Sequence, residues 1–107
     1  MAQVSAPKGV SPKRWEECTE FEQLVYRAAA RIPKGKTQTY QWIARAIGRP
    51  RAVRAVGNAL GRNPFMPAVP CHRVVRADGR LGGYAGGGPA RKLALLRREG
   101  CGALPSA

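Results

Sequence analysis

The first clear pattern of apolar positions begins after residue 19 and follows the 3.6-residue repeat of an α-helix. Its core-facing positions are Phe21, Leu24, Val25, Ala28 and Ile32. Thr19 and Glu22 have the spacing of a capping box, in which each side chain accepts a hydrogen bond from the backbone of the other. The pattern therefore predicts a core-facing helix from about Glu20 to Arg31, ended by the proline and glycine of Ile32-Pro33-Lys34-Gly35.

Two shorter helices follow, joined by a tight turn. Thr39 caps the first of them, and its apolar face is formed by Tyr40, Ile43, Ala44 and Ile47. Gly48-Arg49-Pro50 ends that helix, and we predict that the next one runs from Pro50 or Arg51 to about Leu60. Its core face is Ala52, Val53, Val56 and Leu60. Two short helices around a glycine-containing turn form a helix-turn-helix pattern, which is common in DNA-binding domains.

The second half of the chain predicts one hairpin and one helix. Val74-Val75-Arg76 and Arg80-Leu81 flank Ala77-Asp78-Gly79, and Asp-Gly between apolar runs is a strong hairpin signal. A last helix is expected from Pro89 to Glu99, with Gly100 as its C-cap. These elements predict a mainly α fold, a winged helix-turn-helix domain with a short β-hairpin wing over residues 18–100.

The two ends of the chain lack such a pattern. Residues 1–17 carry Lys8, Lys13 and Arg14 without periodicity, so we predict a mobile basic tail there and a second tail over residues 101–107. We find no internal repeat and no boundary between two domains. A chain of 107 residues fits one domain with a modest core.

The charge balance changes the functional picture. Nineteen Lys plus Arg stand against six Asp plus Glu, a net charge of +13. Such a charge favours a polyanionic partner, with nucleic acid ahead of an anionic membrane. Arg51, Arg54 and Arg62 lie on or just after the second helix of the helix-turn-helix, where they form either a DNA-binding face or a solvated basic face. No apolar run approaches a membrane span, and residues 1–11 lack the apolar centre of a signal peptide.

The three cysteines, Cys18, Cys71 and Cys101, are an odd number at wide spacings. We therefore expect free thiols in a reducing cytoplasm, with Cys18 and Cys101 as structural or tail thiols. The sequence has no closely spaced pairs of metal ligands, so we predict no metal site. Cys71 stands beside His72, the only histidine. An imidazole is a usual means of activating a thiol, but a lone buried cysteine is more often a small apolar core residue, so the pair alone leaves both interpretations of Cys71 open.

A glycine-rich run from Gly82 to Gly88 surrounds Tyr84 and Ala85. A flexible linker is one interpretation of such a run. The tyrosine within it and the helix directly after it favour the other, in which the backbone packs close to a ligand.

Several separated blocks of this sequence, taken together, resemble the C-terminal domain of the O6-alkylguanine-DNA alkyltransferases, also called methylated-DNA–protein-cysteine methyltransferases. The resemblance extends from about Phe21 to Gly100, and Pro70-Cys71-His72-Arg73-Val74-Val75 is its most specific block. The other blocks are Ile32-Pro33-Lys34-Gly35 with Thr39-Tyr40, Ala52-Val53-Arg54-Ala55-Val56-Gly57, Asn63-Pro64, Gly82-Gly83-Tyr84-Ala85-Gly86-Gly87, and Leu95-Leu96 with Glu99-Gly100.

This resemblance implies a catalytic role for five residues. Cys71 takes the alkyl group from the O6 oxygen of a damaged guanine, irreversibly and once per molecule. His72 deprotonates Cys71 through a water, and Glu99 orients His72, in the logic of nucleophile, base and orienting group. Tyr40 helps to rotate the 3′ phosphate and donates a proton to the leaving guanine, and Asn63 braces the turn behind the active site.

The resemblance also implies how double-stranded DNA containing O6-alkylguanine is bound. The target nucleotide is flipped out of the duplex, and Arg54 fills the gap while its helix lies in the minor groove. The implied DNA-binding set is Arg54, Tyr40, Arg51, Arg62, Ala55 and Gly57. The implied pocket residues are Pro70, Val74, Tyr84, Ala85 and Lys92. No cofactor is implied, and we expect a cytoplasmic, nucleoid-associated monomer without a membrane partner.

Length and cysteine content favour different members of the family. Full-length members carry an N-terminal domain, where this sequence has only roughly twenty residues. Single-domain relatives of this size are the alkyltransferase-like proteins, which flag lesions for nucleotide excision repair and lack the cysteine. Because Cys71, His72 and Glu99 are all present, we favour a single-turnover methyltransferase. The alternatives are a non-catalytic lesion sensor that recruits excision repair proteins and, less favoured, a winged-helix transcription regulator.

Overall fold

The structure is a computed structural model that describes residues 5–66, 68–78, 81–82, 84 and 87–100. Its α-helices are α1 (Pro12–Glu16), α2 (Glu20–Ala30), α3 (Tyr40–Ala46), α4 (Val53–Gly61) and α5 (Gly88–Arg98). Two short strands, β1 (Gln38–Thr39) and β2 (Val74–Val75), and one turn of 3-10 helix (Cys71–Arg73) complete the fold. The predicted mainly α architecture is confirmed. Within these ranges, every helix is too short or too polar to span a bilayer.

Side-chain caps fix where the first two core helices begin. The backbone N–H of Glu22 donates to Thr19 Oγ1 at 3.1 Å, and the N–H of Thr19 donates to Glu22 Oε1 at 2.9 Å. This is the predicted capping box. The N–H of Trp42 donates to Thr39 Oγ1 at 2.9 Å and so caps α3 in the same way. Because such caps satisfy backbone donors that a helix start leaves free, both starts agree with the sequence prediction.

Helices α3 and α4 form the predicted helix-turn-helix and pack against α2. The residues that join the three helices are fully buried, and they include Val25, Ala29, Ile43, Ala44, Val56 and Ala59. Tyr26 of α2 donates a buried hydrogen bond from its hydroxyl to the carbonyl of Ala59 in α4 at 2.7 Å. One boundary was predicted wrongly: α4 starts at Val53 and not at Pro50 or Arg51. Residues 49–52 form a separate turn, closed by Ala52 N–H to the Arg49 carbonyl at 2.9 Å.

The sheet differs from the predicted hairpin. Strand β2 pairs in parallel with β1, with Gln38 opposite Val74 and Thr39 opposite Val75. Leu81, expected on the second arm of the hairpin, is buried but lies outside any strand, while Gly79 and Arg80 lie outside the described residues. A local Asp-Gly signal carries no information about a strand 36 residues earlier in the chain, and here that strand is the partner of β2. The pairing ties the start of the helix-turn-helix to the turn that contains Cys71.

The prediction of a mobile tail over residues 1–17 is wrong from residue 5 onwards. Helix α1 begins at Pro12, and its Trp15 is only 4% exposed. The Trp15 ring lies 5.8 Å from the Phe65 ring and 6.5 Å from the Tyr26 ring, measured between centroids. A single tryptophan can anchor a segment through its large apolar area, although one residue produces no periodicity. Residues 1–4 and the predicted tail over 101–107, with Cys101, lie outside the described residues.

The two tryptophans provide a test of this anchoring. We expect Trp15→Ala to lower the free energy of unfolding by about 3 kcal/mol, since it removes a buried aromatic side chain from the core. Trp42, which is 36% exposed, is the matched control, and Trp42→Ala is expected to cost less than about 1 kcal/mol. Urea unfolding of the two variants measures both values. Equal losses would contradict the anchoring role of Trp15.

Candidate active site

A cavity of about 730 Å³ opens between the helix-turn-helix and the segment that follows β2. Helix α4 forms one wall, and Cys71, Arg76, Gly82 and Tyr84 contribute to the other. The lining residues are Tyr40, Val53, Arg54, Gly57, Leu60, Gly61, Cys71, Arg76, Gly82 and Tyr84. Only one of them carries a strong nucleophile, the thiol of Cys71. The structure thus places Cys71, Tyr40, Tyr84, Arg54 and Gly57 of the predicted site around one space.

The thiol of Cys71 is held in its neutral form. The residue is 5% exposed, and burial raises the pKa of the thiol above its ordinary value. A hydrogen bond with the Asn63 side chain and the positive charge of Lys92 act in the opposite direction without outweighing burial. Because the thiolate is the nucleophilic form, Cys71 needs a base when it reacts.

Asn63 shapes the loop that leads to this thiol. Its Nδ2 donates to the Val69 carbonyl at 2.9 Å, and its Oδ1 accepts from the N–H of Phe65 at 2.9 Å. The side chain is 4% exposed, so both hydrogen bonds are shielded from water. Asn63 therefore closes residues 63–69 on themselves directly before Pro70 and Cys71, the place at which the resemblance implies a bracing asparagine.

His72 and Glu99 meet behind the cavity wall. Nε2 of His72 lies 3.0 Å from Oε1 of Glu99, and both side chains are largely buried. The two atoms are close, although among the described residues this nitrogen makes no hydrogen bond with good geometry. Neither residue belongs to the part of the cavity wall formed by described residues. The structure thus brings together base and carboxylate from positions 27 residues apart.

Arg73 is a member of this cluster that the sequence analysis did not single out. Its Nε and Nη2 donate to Oε1 and Oε2 of Glu99 at 3.0 and 2.6 Å, and its Nη1 donates to the Ile32 carbonyl at 2.9 Å. Hydrogen bonds from Arg73, together with the nearby ring of His72, lower the pKa of Glu99 to about 2. Its place next to His72 in the most specific sequence block was the only indication that Arg73 belongs to the site.

Lys92 is the most deeply buried charged group of the site. Its Nζ donates to the Val74 carbonyl at 2.5 Å, to the Leu81 carbonyl and to Tyr40 Oη at 3.3 Å. Burial lowers its pKa to about 8, while the nearby Cys71 acts in the opposite direction. Lys92 thereby connects the segments before and after residues 79–80 and holds the hydroxyl of Tyr40 by a hydrogen bond.

Tyr40 lies at the start of α3 with its hydroxyl inside the site. Burial raises the pKa of this phenol, and the neighbouring Cys71 raises it further. Gly82 packs directly on the ring: a Cβ at Gly82 would lie 2.8 Å from Tyr40 Oη, and its φ of +78° is in the region that favours glycine. At this position the glycine-rich run packs closely against the Tyr40 side chain, and the expectation that its backbone packs close to a ligand stays a prediction.

The predicted DNA-binding arginines and Ala55 lie at separate places on and beside the helix-turn-helix. Arg54 lines the cavity, whereas Arg51 lies at a separate shallow depression formed by residues 49–52. Ala55 is exposed on α4. Arg62 forms an exposed ion pair with Glu22 at 3.3 Å. The predicted set therefore does not form one cluster.

The predicted pocket set also divides. Pro70 and Val74 are buried, but among described residues they stand behind the lining rather than in it. Ala85 lies outside the described residues. Arg76 was missed: it lines the cavity and forms a 3.0 Å ion pair with Asp78. The sequence predicts Arg76 in a hairpin strand, and nothing local in the sequence indicates that it faces a cavity.

Comparisons with known proteins identify the family to which this chain is similar. The family model of the 6-O-methylguanine DNA methyltransferase DNA binding domain matches residues 20–101. The methylated-DNA–protein-cysteine methyltransferase of Methanosarcina barkeri is 48% identical over 83 residues, which are 78% of this chain and 52% of that protein. The chain thus spans about half the length of this curated relative.

Two solved structures with DNA have the same fold. Mycobacterium tuberculosis OGT in complex with DNA matches with a TM-score of 0.74 and 52% identity, over 78% of this chain and 51% of that chain. S. pombe Atl1 in complex with damaged DNA containing O6-carboxymethylguanine matches with a TM-score of 0.68 and 38% identity, over 76% of each chain. The helix-turn-helix prediction is thereby confirmed.

The lowered pKa of Glu99 predicts a pH dependence of stability. A carboxyl whose pKa is about 2 in the folded state and about 4.3 in the unfolded state stabilises the fold fully above about pH 5 and loses that contribution as the pH falls towards 2. We therefore expect the stability difference between the unsubstituted protein and Glu99→Gln to shrink over this interval. Urea unfolding at several pH values measures it, with exposed Glu16→Gln as the control for loss of one negative charge. A difference that stays constant with pH would contradict the prediction.

Proposed function

Because this chain belongs to the 6-O-methylguanine DNA methyltransferase family, we propose that it is a DNA repair protein that transfers an alkyl group from O6-alkylguanine in duplex DNA to Cys71. The observation that carries this proposal is the buried thiol in the wall of a 730 Å³ cavity, with an imidazole and a carboxylate behind it. A cavity of this size lies in the range of small-molecule sites and suits a single flipped base.

The proposed step forms one bond and breaks one. Sγ of Cys71 bonds to the alkyl carbon while the bond from that carbon to O6 breaks, and its electron pair stays with the guanine. His72 takes the thiol proton, directly or through a water, and Tyr40 donates a proton to the leaving base. Over the whole reaction the thiol proton ends on guanine and Cys71 becomes a thioether. The thioether is not turned back into a thiol, so each molecule acts once.

The electrostatics of the site support this assignment of roles. Burial keeps Cys71 as a thiol, and a thiol without a base is a weak nucleophile. Because the pKa of Glu99 is about 2, its carboxylate is ionised at neutral pH. It lies 3.0 Å from His72 and favours the imidazolium that forms when His72 accepts a proton. Because its pKa is raised, the phenol of Tyr40 keeps its proton until negative charge develops on the leaving guanine.

The proposed DNA contact uses the charge of the chain and the position of α4. A net charge of +13 attracts the phosphate backbone without regard to sequence. Arg54 lies at the cavity, so the same helix that approaches the duplex carries a side chain able to fill the gap of an extruded nucleotide. Unstacking a base costs a few kcal/mol, which such a side chain offsets. A damaged duplex is therefore the proposed partner, bound through the minor groove.

A lesion sensor without transfer is the second candidate. It is favoured by the match to S. pombe Atl1, a protein solved with damaged DNA, over equal shares of both chains. Lesion binding needs the cavity and Arg54 but not the thiol. In that case nucleotide excision repair proteins are the proposed partners.

Intact-mass measurement after incubation with an O6-methylguanine duplex separates the candidates. We expect the mass to rise by one methyl group less one proton, and the modified peptide to contain Cys71. Cys71→Ser is expected to abolish the change, whereas Cys18→Ser, which alters a cysteine outside the cavity lining, is expected to retain it. An unchanged mass with tighter binding to the lesion than to plain DNA would favour the sensor. Equal binding to both, with preference for one sequence, would favour a transcription regulator.

Arg54 and Arg51 provide a matched pair for the flipping step. In the Cys71→Ser background, which prevents transfer, we expect Arg54→Ala to weaken binding to an O6-methylguanine duplex by on the order of tenfold more than Arg51→Ala, because only Arg54 lines the cavity. Titrations at several salt concentrations separate this effect from the loss of one phosphate contact, which flattens the salt dependence by a similar amount in either variant. Equal losses of affinity would contradict a gap-filling role for Arg54.

A further inference from the structure

Glu99 is shared between two side chains of the same 3-10 turn. Oε1 lies 3.0 Å from Nε2 of His72 and also accepts from Nε of Arg73 at 3.0 Å, while Oε2 accepts from Nη2 of Arg73 at 2.6 Å. The side chains of Arg73 and Glu99 are only 16% and 13% exposed. The hydrogen bonds that fix the carboxylate therefore come from Arg73, and His72 meets an oxygen whose position Arg73 has already set.

The location of Glu99 explains why it needs such a partner. It is the C-cap residue of α5, where helices fray and where the helix dipole disfavours a negative charge. A carboxylate there has no reason of its own to point at His72. Two parallel N–H donors from a planar guanidinium fix both the direction and the plane of a carboxylate, which a single ammonium cannot do.

Arg73 is itself fixed by a third segment of the chain. Its Nη1 donates to the carbonyl of Ile32, directly after α2, at 2.9 Å. The segment after α2 also approaches Glu99 at Gly35, where a Cβ would lie 3.3 Å from the Glu99 carbonyl oxygen. The guanidinium therefore cannot follow Glu99 if that side chain moves, and it joins α2, the Cys71 turn and α5.

We propose that Arg73 is a positioning residue for the reaction of Cys71, which holds the Glu99 carboxylate against His72 and shares its negative charge. This inference rests on the proposed role of Cys71 as the alkyl acceptor. Arg73 touches neither the cavity nor the thiol among the described contacts, so it acts through Glu99 alone. Its effect on the reaction must then disappear when Glu99 can no longer act.

A double-mutant cycle on rate tests this dependence. The variants are Arg73→Gln, Arg73→Lys, Glu99→Gln and the double variant Arg73→Gln with Glu99→Gln. One rate is methyl transfer from an O6-methylguanine duplex in a single turnover, and the other is alkylation of Cys71 by iodoacetamide, followed by peptide mass mapping. Exposed Arg97→Gln, on the last turn of α5, is the control for the loss of one positive charge.

We expect Arg73→Gln to slow both reactions by on the order of tenfold and Arg73→Lys to slow them nearly as much, because the charge remains but the fork is lost. In the Glu99→Gln background, Arg73→Gln is expected to cause no further loss. An unchanged rate in Arg73→Gln, or an equal loss with and without Glu99, would overturn the proposal. Unfolding curves identify conditions in which every variant is folded, and the rates are compared only there.

The single histidine provides a readout that a merely structural role would not move. We expect the ring-nitrogen chemical shifts of His72 to change in Arg73→Gln, and those of the double variant to equal those of Glu99→Gln. Shifts in Arg73→Gln identical to those of the unsubstituted protein would overturn the proposal. If methyl transfer fails in the unsubstituted protein while the iodoacetamide cycle behaves as expected, the proposed function is wrong and the positioning role stands. If methyl transfer occurs and both cycles are additive, only the positioning role is wrong.

Discussion

A nucleophile kept away from water needs polar neighbours, and each of those neighbours needs partners of its own. The turn of Cys71 and His72 is buried at the base of a cavity, so every polar group around it carries a desolvation cost unless it is hydrogen-bonded. Asn63 uses both ends of its amide on the loop before Cys71, and Lys92 gives its N–H groups to two carbonyls and a phenol. Such a network is stabilising only when it is complete, and this requirement governs how the rest of the chain is arranged.

The fold meets this requirement by bringing distant segments to one place. Strand β1 pairs with β2 and so brings Tyr40, the next residue, beside the Cys71 turn. Helix α5 supplies Lys92 near its start and Glu99 at its end, so one helix serves the cavity and the His72 side at once. Each strand of the sheet is only two residues long. The side-chain hydrogen bonds of Lys92 and Arg73 extend the contact between these segments. Displacing α5 would separate Lys92 from the Val74 carbonyl and Glu99 from Arg73.

What the sequence could predict follows the distance over which each interaction acts. Helices α2, α3 and α5 were predicted because their apolar repeats and the caps at Thr19 and Thr39 are local. The parallel partner of β2 and the anchoring of Trp15 were not, since both depend on residues far away in the chain. The pairing of His72 with Glu99 came only from the family resemblance, and Arg73, although inside the same block, was passed over because its partners Glu99 and Ile32 lie 26 and 41 positions away.

The placement of negative charge links this chemistry to DNA binding. Four of the six acidic residues lie between positions 16 and 22, away from the cavity lining, and Asp78 is paired with Arg76. In the proposed reaction Glu99 is the one carboxylate with a role, and an unshared negative charge there would oppose both the formation of a thiolate and the approach of a phosphate backbone. The guanidinium of Arg73 compensates the negative charge of Glu99 without binding to His72. Under the proposed function, a site that contains a carboxylate and attracts a polyanion needs an internal cation at this position, and this is a physical reason for an arginine directly after the histidine.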